Sequence, residues 1–306
     1  MLINTEPQFG VAGFPPSFFK SSFGKNRENI FEWLKEIGLS WIELQNTYGV
    51  KMKDEQALIY KSLAKEHQIG VSIHAPYYIT LASGDKAVRE RSKERILQCF
   101  ELAARLESKH IIFHPGHFSG SDERSRKEGL EILIEGLLSL EKMLPADDIF
   151  LYPETAGKKA QLGSIEEIIQ ICSHVRFAYP CVDVAHVHAF RGGTLSTPES
   201  ISSLLDLIEQ RLGMESLYKT HFHMYPVEVD HTGEKKHKAF TDEIKSQQFS
   251  LLGELPADKY FPLAEHFAQA IFDKGLFPSV VCEARDSQDY GALLIKKHYN
   301  KMVVDI

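Results

Sequence analysis

Cysteine is scarce in this chain and never closely paired. Of 306 residues only four are cysteine, namely Cys99, Cys172, Cys181 and Cys282, each in an apolar run and none in Cys-x-x-Cys spacing. That argues against a disulfide scaffold and reads as reduced core thiols of a cytoplasmic protein. No run approaches about 18 apolar residues, so no membrane-spanning helix and no membrane partner are expected. Met1 to Phe9 lacks the basic-then-apolar pattern of a secretory signal. Positive charge is not in excess either. The formal net charge of −7 excludes a chain coated in basic residues, yet it permits one basic face, because a total says nothing about distribution. No Gly/Ser linker or compositional shift divides the chain, so residues 1–306 are read as one domain.

What the chain does have is histidine, 14 in all, and a core-forming content of 43% hydrophobic residues. Eight short apolar runs alternate with helical spacing. The runs are 9–12, 41–44, 71–74, 110–114, 149–154, 178–183, 218–223 and 279–283. Between them, apolar residues recur every three to four positions, as at Ile30, Phe31, Leu34 and Ile37. Ser164 with Glu167 fits a helix-capping box, whereas Thr197 with Ser200 lacks the acidic partner. Gly38, Gly70, Gly213 and Gly275 are expected to close helices in the left-handed conformation. Strand–helix alternation repeated eight times predicts a single (β/α)8 TIM barrel of the α/β class. The longest irregular stretch, 224–257, exceeds ordinary loop length and is a candidate functional loop.

In such a barrel the chemistry lies at the carboxyl ends of the strands. Those ends carry His74, His114, Glu154, Asp183 with His186, His223 and Glu283, from the third strand to the eighth. One histidine at a strand tip is readily satisfied by a carbonyl. Metal-capable side chains on six consecutive strands exceed what one zinc requires and predict a cluster. With Glu154 or Asp183 bridging, two or three ions would clamp the attacking and leaving oxygens of a phosphoryl group.

Five motifs carry a family resemblance. They are Ile73-His-Ala-Pro-Tyr-Tyr-Ile-Thr-Leu81, Phe113-His-Pro-Gly116, Pro153-Glu-Thr-Ala-Gly-Lys-Lys-Ala-Gln-Leu-Gly163, Val182-Asp-Val-Ala-His-Val-His-Ala189 and Gly233-Glu-Lys-Lys-His237. Together, in this order and over nearly the whole chain, they resemble the endonuclease IV family, most closely its archaeal-type branch. The resemblance implies a xylose-isomerase-like barrel that cuts DNA 5′ to abasic sites with two or three zinc ions, manganese being an alternative. It implies that Glu154 bridges two ions, that Asp183, His223 and Glu283 complete one, and that His74 with His114 complete the other. His186 and His237 hold the third. Glu154 and Glu283 would orient the attacking water. The family's aspartate two residues before the last histidine is Lys235 here, so Glu234 is expected to serve instead. Supplied by an irregular loop, that third site is expected to bind its ion more weakly, because the loop loses entropy when it orders. The segment 240–256 carries no legible motif.

Basic and aromatic residues cluster in the segments after the strands: Phe14, Phe18, Lys20, Phe23, Lys25, then Lys158, Lys159 and Arg191. That mixture suits a phosphate backbone beside unstacked bases, although phenylalanines in loops also serve as packing anchors. Tyr77 and Tyr78 follow His74 closely and would either fill a gap in a duplex or wall the pocket. The acidic surplus is expected on outer helices, at Glu131, Glu135 and Glu141. His188, two residues past His186, either touches metal or substrate or points away from them. The expected partner is DNA containing abasic sites, and the expected state is a monomer. Two other readings stay open: a sugar isomerase or epimerase on a similar barrel, and a metal-stabilised barrel that only binds DNA.

Overall fold

The computed structural model describes residues 5–146, 148–240 and 260–304. Eight parallel strands form one sheet: β1 (Gln8–Ala12), β2 (Trp41–Gln45), β3 (Gly70–His74), β4 (His110–Phe113), β5 (Phe150–Pro153), β6 (Cys181–Asp183), β7 (His221–His223) and β10 (Ser279–Cys282). Their spatial order is β5-β4-β3-β2-β1-β10-β7-β6. The sheet curls until β5 meets β6, where isolated bridges pair Leu151 with Ala178 and Glu154 with Cys181. The expected TIM barrel is thus nearly closed, with a thin seam at β5 and β6.

Helices cover the outside because the strands are apolar on their outward faces and cannot meet water. They are α1 (Pro16–Lys20), α2 (Ile30–Glu36), α3 (Asp54–His67), α4 (Lys86–Leu106), α5 (Glu123–Leu138), α6 (Ile165–His174), α7 (Val184–Phe190), α8 (Pro198–Leu212), α9 (Met214–Lys219), α10 (Ala264–Asp273) and α11 (Gln288–Val304). Phe31, Leu34, Phe100, Leu133, Ile168 and Phe267 lie in the layer between helices and barrel. The Ser164–Glu167 capping box forms as expected. So does one between Thr197 and Ser200, the serine hydroxyl taking the part usually played by a carboxylate. Glu131 and Glu135 are exposed on α5, and Glu141 pairs with Arg176.

The strand side chains alternate, and the inward phase explains the site. Trp41, Glu43 and Gln45 share one face of β2. Ser72 with His74, His110 with Ile112, Tyr152 with Glu154, Cys181 with Asp183, and His221 with His223 follow the same two-residue period. The inside of this barrel is therefore largely polar, with a small apolar cluster of Ile112, Tyr152 and Cys181.

Two expectations need correction. Gly38, Gly213 and Gly275 do adopt positive φ, but Gly70 does not; the residue that closes α3 in the left-handed conformation is Gln68. Gly70 is small for another reason, since a Cβ there would lie 2.1 Å from the Trp41 indole. Nor is the stretch after β7 wholly irregular. Val227–Asp230 (β8) and Gly233–His237 (β9) form an antiparallel hairpin outside the barrel. Of 240–256, only Phe240 is among the described residues.

Candidate metal centre

Glu154 stands at the middle of the cluster, completely buried, with its two oxygens facing different partners. Oε2 lies 3.1 Å from His74 Nε2 and 3.3 Å from His114 Nε2. Oε1 lies 3.2 Å from His223 Nδ1 and 3.3 Å from His186 Nδ1. Burial alone would raise the Glu154 pKa, but His114, His223 and His186 outweigh it and hold the carboxyl well below the usual carboxylate range. Of the ligand-capable groups among the described residues, three bring together the predicted ligands: His74 with His114 and Glu154; Glu154 with Asp183, His223 and Glu283; and His186 with Glu234 and His237. All nine sequence-predicted ligands fall into these groups.

Asp183 performs two tasks. Oδ1 accepts the His186 backbone N–H at 2.7 Å and so caps α7. Oδ2 is buried and accepts no hydrogen bond, His186 Nδ1 lying 3.3 Å away but being committed to the Thr155 carbonyl; burial pushes this carboxyl up to about 7 against the pull of His186. A buried carboxylate oxygen without a donor is what a cation would satisfy.

Three of these histidines have Nδ1 tied to a backbone carbonyl, which fixes the ring as metal ligands require. His74 Nδ1 donates to the Ala75 carbonyl at 2.9 Å. His186 Nδ1 donates to the Thr155 carbonyl at 2.8 Å, and His237 Nδ1 to the Glu283 carbonyl at 3.2 Å. Nε2 of His74 then faces Glu154 and Nε2 of His237 faces Glu234, whereas His186 turns Nδ1 toward Glu154 Oε1 and Nε2 toward Glu234. The mixed imidazole and carboxylate donors, drawn from rigid strand ends, fit borderline divalent ions such as zinc.

The third group is built by the hairpin rather than by an irregular loop. Glu234 Oε2 reaches His186 Nε2 at 3.1 Å, and Oε1 reaches His237 Nε2 at 2.9 Å. Lys235 points the other way and pairs with Glu228. Backbone bonds strap the hairpin to the loop after β5: Glu234 N–H to Gly157 O at 2.9 Å and Lys159 N–H to Thr232 O at 3.2 Å. A side chain at Gly157 is sterically barred, because its Cβ would sit 2.5 Å from Glu234 Oε2 and 2.7 Å from His186 Cδ2. Arg126 of α5 fixes the same loop from below, donating to the carbonyls of Lys159 and Gln161. The expected entropy cost of a loose loop therefore loses its structural basis.

Above the cluster a cavity of about 440 Å³ is lined by Tyr77, Tyr78, His117, Lys158 and Gln161 together with His114, Glu234 and Glu283. Tyr77 is 59% exposed and meets Tyr48, 69% exposed, edge-to-face at 6.0 Å. Tyr48 was not singled out in the sequence, where a lone tyrosine in a loop carries no signal. Tyr78 is half-buried beneath the Arg95 guanidinium, 4.1 Å away, so it walls the pocket. Lys158 and Lys159 are exposed. Arg191 is paired with Glu166, and Lys20 and Lys25 lie outside the cavity lining on the segment after β1. Phe18 is buried and Phe14 packs on it, so these two rings are anchors, while Phe19 beside them stays exposed. His188 also stays apart: its Nδ1 accepts the Leu195 N–H at 3.1 Å, and burial pushes its pKa down to about 4.

A parallel barrel that gathers imidazoles and carboxylates at its strand ends defines a class of metal-site barrels. The chain belongs to the xylose isomerase-like TIM barrel family, whose model matches residues 31–270. An uncharacterized protein of Methanocaldococcus jannaschii is 27% identical over 294 residues, covering 96% of this chain and 97% of that protein. The probable endonuclease 4 of Aquifex aeolicus is 30% identical over 179 residues, covering 56% of this chain and 61% of the relative. Among solved structures, endonuclease IV from Thermus thermophilus superposes with a TM-score of 0.67 at 16% identity, covering 98% of this chain and all of that one. A D-tagatose 3-epimerase-like protein superposes with a TM-score of 0.66, also at 16% identity, covering 97% and 98%. At that identity the superpositions speak for the fold alone. Among the described residues, no helix is long and apolar enough to cross a membrane.

Proposed function

We propose that this chain is a zinc-dependent endonuclease that hydrolyses DNA on the 5′ side of abasic sites. The observation that carries the reading is the division of donors around Glu154 into three groups, which exceeds the needs of a single-ion sugar enzyme. Zinc held there supplies Lewis-acid polarisation of phosphoryl oxygens and charge to offset that on the leaving oxygen. Glu154 would be shared by the ion of His74 and His114 and the ion of Asp183, His223 and Glu283. His186, Glu234 and His237 would hold the third. Exposed Lys158 at the cavity rim offers the backbone phosphate a cation. Tyr77 and Tyr48 present aromatic faces to a base beside the gap. Buried Tyr225, stacked on His237 at 4.2 Å, holds that ligand's ring and shields its far face.

The test is cleavage of a duplex carrying one tetrahydrofuran abasic analogue by zinc-loaded protein. Incision leaving a 3′-hydroxyl, abolished by chelator and restored by zinc, is the expected result. The epimerase reading rests on the shared fold and on the Glu154, Asp183, His223 and Glu283 group, whose four donors suffice for one ion. Metal-dependent interconversion of ketohexoses without incision would favour it instead.

Zinc binding should also be strongly linked to protons. Burial disfavours charge on His74, yet Glu154, with Glu43 and Glu283, lifts its pKa to about 9. A histidine must be neutral to bind a metal, so below about 9 zinc displaces a proton there. Apparent zinc affinity is expected to rise with pH through about 9, with net proton release on binding. Calorimetry in buffers of different ionisation enthalpy measures that release; a pH-independent affinity would remove His74 from the ligands.

A further inference from the structure

We propose that Glu43 is a positioning residue for the centre: it sets the tautomer of His223 and, through Gln45, the orientation of Glu283. The proposal rests on the metal-centre reading above, and not on DNA being the substrate. Strand β2 supplies no ligand, yet its inward side chains reach the centre from beneath. Glu43 is fully buried and surrounded by donors. Ser72 Oγ donates to its Oε2 at 2.9 Å, and Gln45 Nε2 to its Oε1 at 3.2 Å. His223 Nε2 lies 3.2 Å from Oε1, and His221 Nε2 lies 3.2 Å from Oε2.

His223 is thereby set apart from the other ligands. His74, His186 and His237 give their spare N–H to neutral backbone carbonyls, whereas His223 gives Nε2–H to a carboxylate. With Nε2–H held by Glu43, Nδ1, which faces Glu154 Oε1 at 3.2 Å and Glu283 Oε1 at 3.8 Å, is the nitrogen that would give up its proton to a metal. A carboxylate behind an imidazole fixes its ring and makes it a stronger donor than a carbonyl does. Gln45 extends the same hold, since its Nε2 also donates to Glu283 Oε1 at 3.3 Å. One buried carboxylate therefore orients two ligands of the same ion, the one shared by Asp183, His223 and Glu283. Glu43, His221 and His223 are close enough to hold an ion themselves. That would take the Nε2 proton from His223, and the Ser279 hydroxyl, 2.6 Å from His221 Nδ1, already fixes the other face of that ring.

The experiment compares Glu43→Gln, Ser72→Ala and the parent chain, each stripped of metal and titrated with zinc against a competing chelator. Glu43→Gln is expected to weaken one zinc about 10–100-fold and leave the others unchanged. Ser72→Ala, which removes one hydrogen bond to Glu43 and leaves its contacts with His223 and Gln45, should leave all zinc affinities intact. The second measurement needs no variant. In zinc-loaded protein labelled with 15N-histidine, one ligand should be bound through Nδ1 with Nε2 protonated, and the others through Nε2. Unchanged affinities in Glu43→Gln, uniform weakening matched by Ser72→Ala, or ligation through Nε2 alone would each overturn the proposal. So would an additional ion that disappears in Glu43→Gln while the rest bind normally, since Glu43 would then be a ligand. A parent chain that binds no zinc refutes both this proposal and the metal centre. Normal zinc binding without DNA incision refutes only the nuclease.

Discussion

Glu154→Gln is expected to lower turnover on abasic DNA on the order of 1,000-fold or more, about 4 kcal/mol of barrier, while the fold survives. The two Glu154 oxygens face opposite sides, Oε2 toward His74 and His114 and Oε1 toward His223. An amide can offer an oxygen to only one side and presents an N–H₂ to the other, where a second cation would have to bind. The variant keeps the volume of the buried side chain, so its melting curve should stay close to that of the parent without metal. Single-turnover incision read beside zinc content separates lost chemistry from lost metal. Near-normal incision would remove Glu154 from the centre and end the multinuclear reading.

The second large effect concerns the hairpin group. Glu234→Ala is expected to cost one zinc per chain and at least about tenfold in incision, and Lys235→Ala to cost neither. Lys235 spends its charge on Glu228, whereas Glu234 alone joins His186 to His237. Gly157→Ala should imitate Glu234→Ala although it removes no donor. Its new methyl group would occupy the space of Glu234 Oε2 and the His186 ring edge. Elemental analysis of the three proteins decides it. Full metal content in Glu234→Ala would leave a two-ion centre, and loss in Lys235→Ala would mean that the ligands were assigned to the wrong positions.

Much of the barrel and its rim was readable because both follow from local chemistry. An apolar run that ends on an imidazole or carboxylate marks a strand and its tip together, as at Ile73–His74 and Val182–Asp183. Strand phase was less legible. Glu43 lies inside the run 41–44, where a carboxylate looks like an interruption, and only the inward face shared with Trp41 and Gln45 explains it. The hairpin after β7 was half legible. Val227 and Val229 alternate as a strand should, but their partner Gly233–His237 holds only Gly, Glu, Lys and His, with no apolar residue to mark a buried face. Which basic residues stay free was not legible at all. Arg191 and Lys158 look alike in sequence, and only packing brings Glu166 to Arg191.

The hairpin contributes no strand to the barrel sheet, which runs from β5 round to β6 without β8 and β9. It follows β7 directly in the chain and, among the described residues, pairs only within itself and, through isolated bridges, with Lys158 and Phe261. In the reading proposed above, the barrel and the segments that follow its strands would supply seven donors and the hairpin two, Glu234 and His237. A change confined to the hairpin would then alter the donor set while every ladder of the eight-stranded sheet keeps its register.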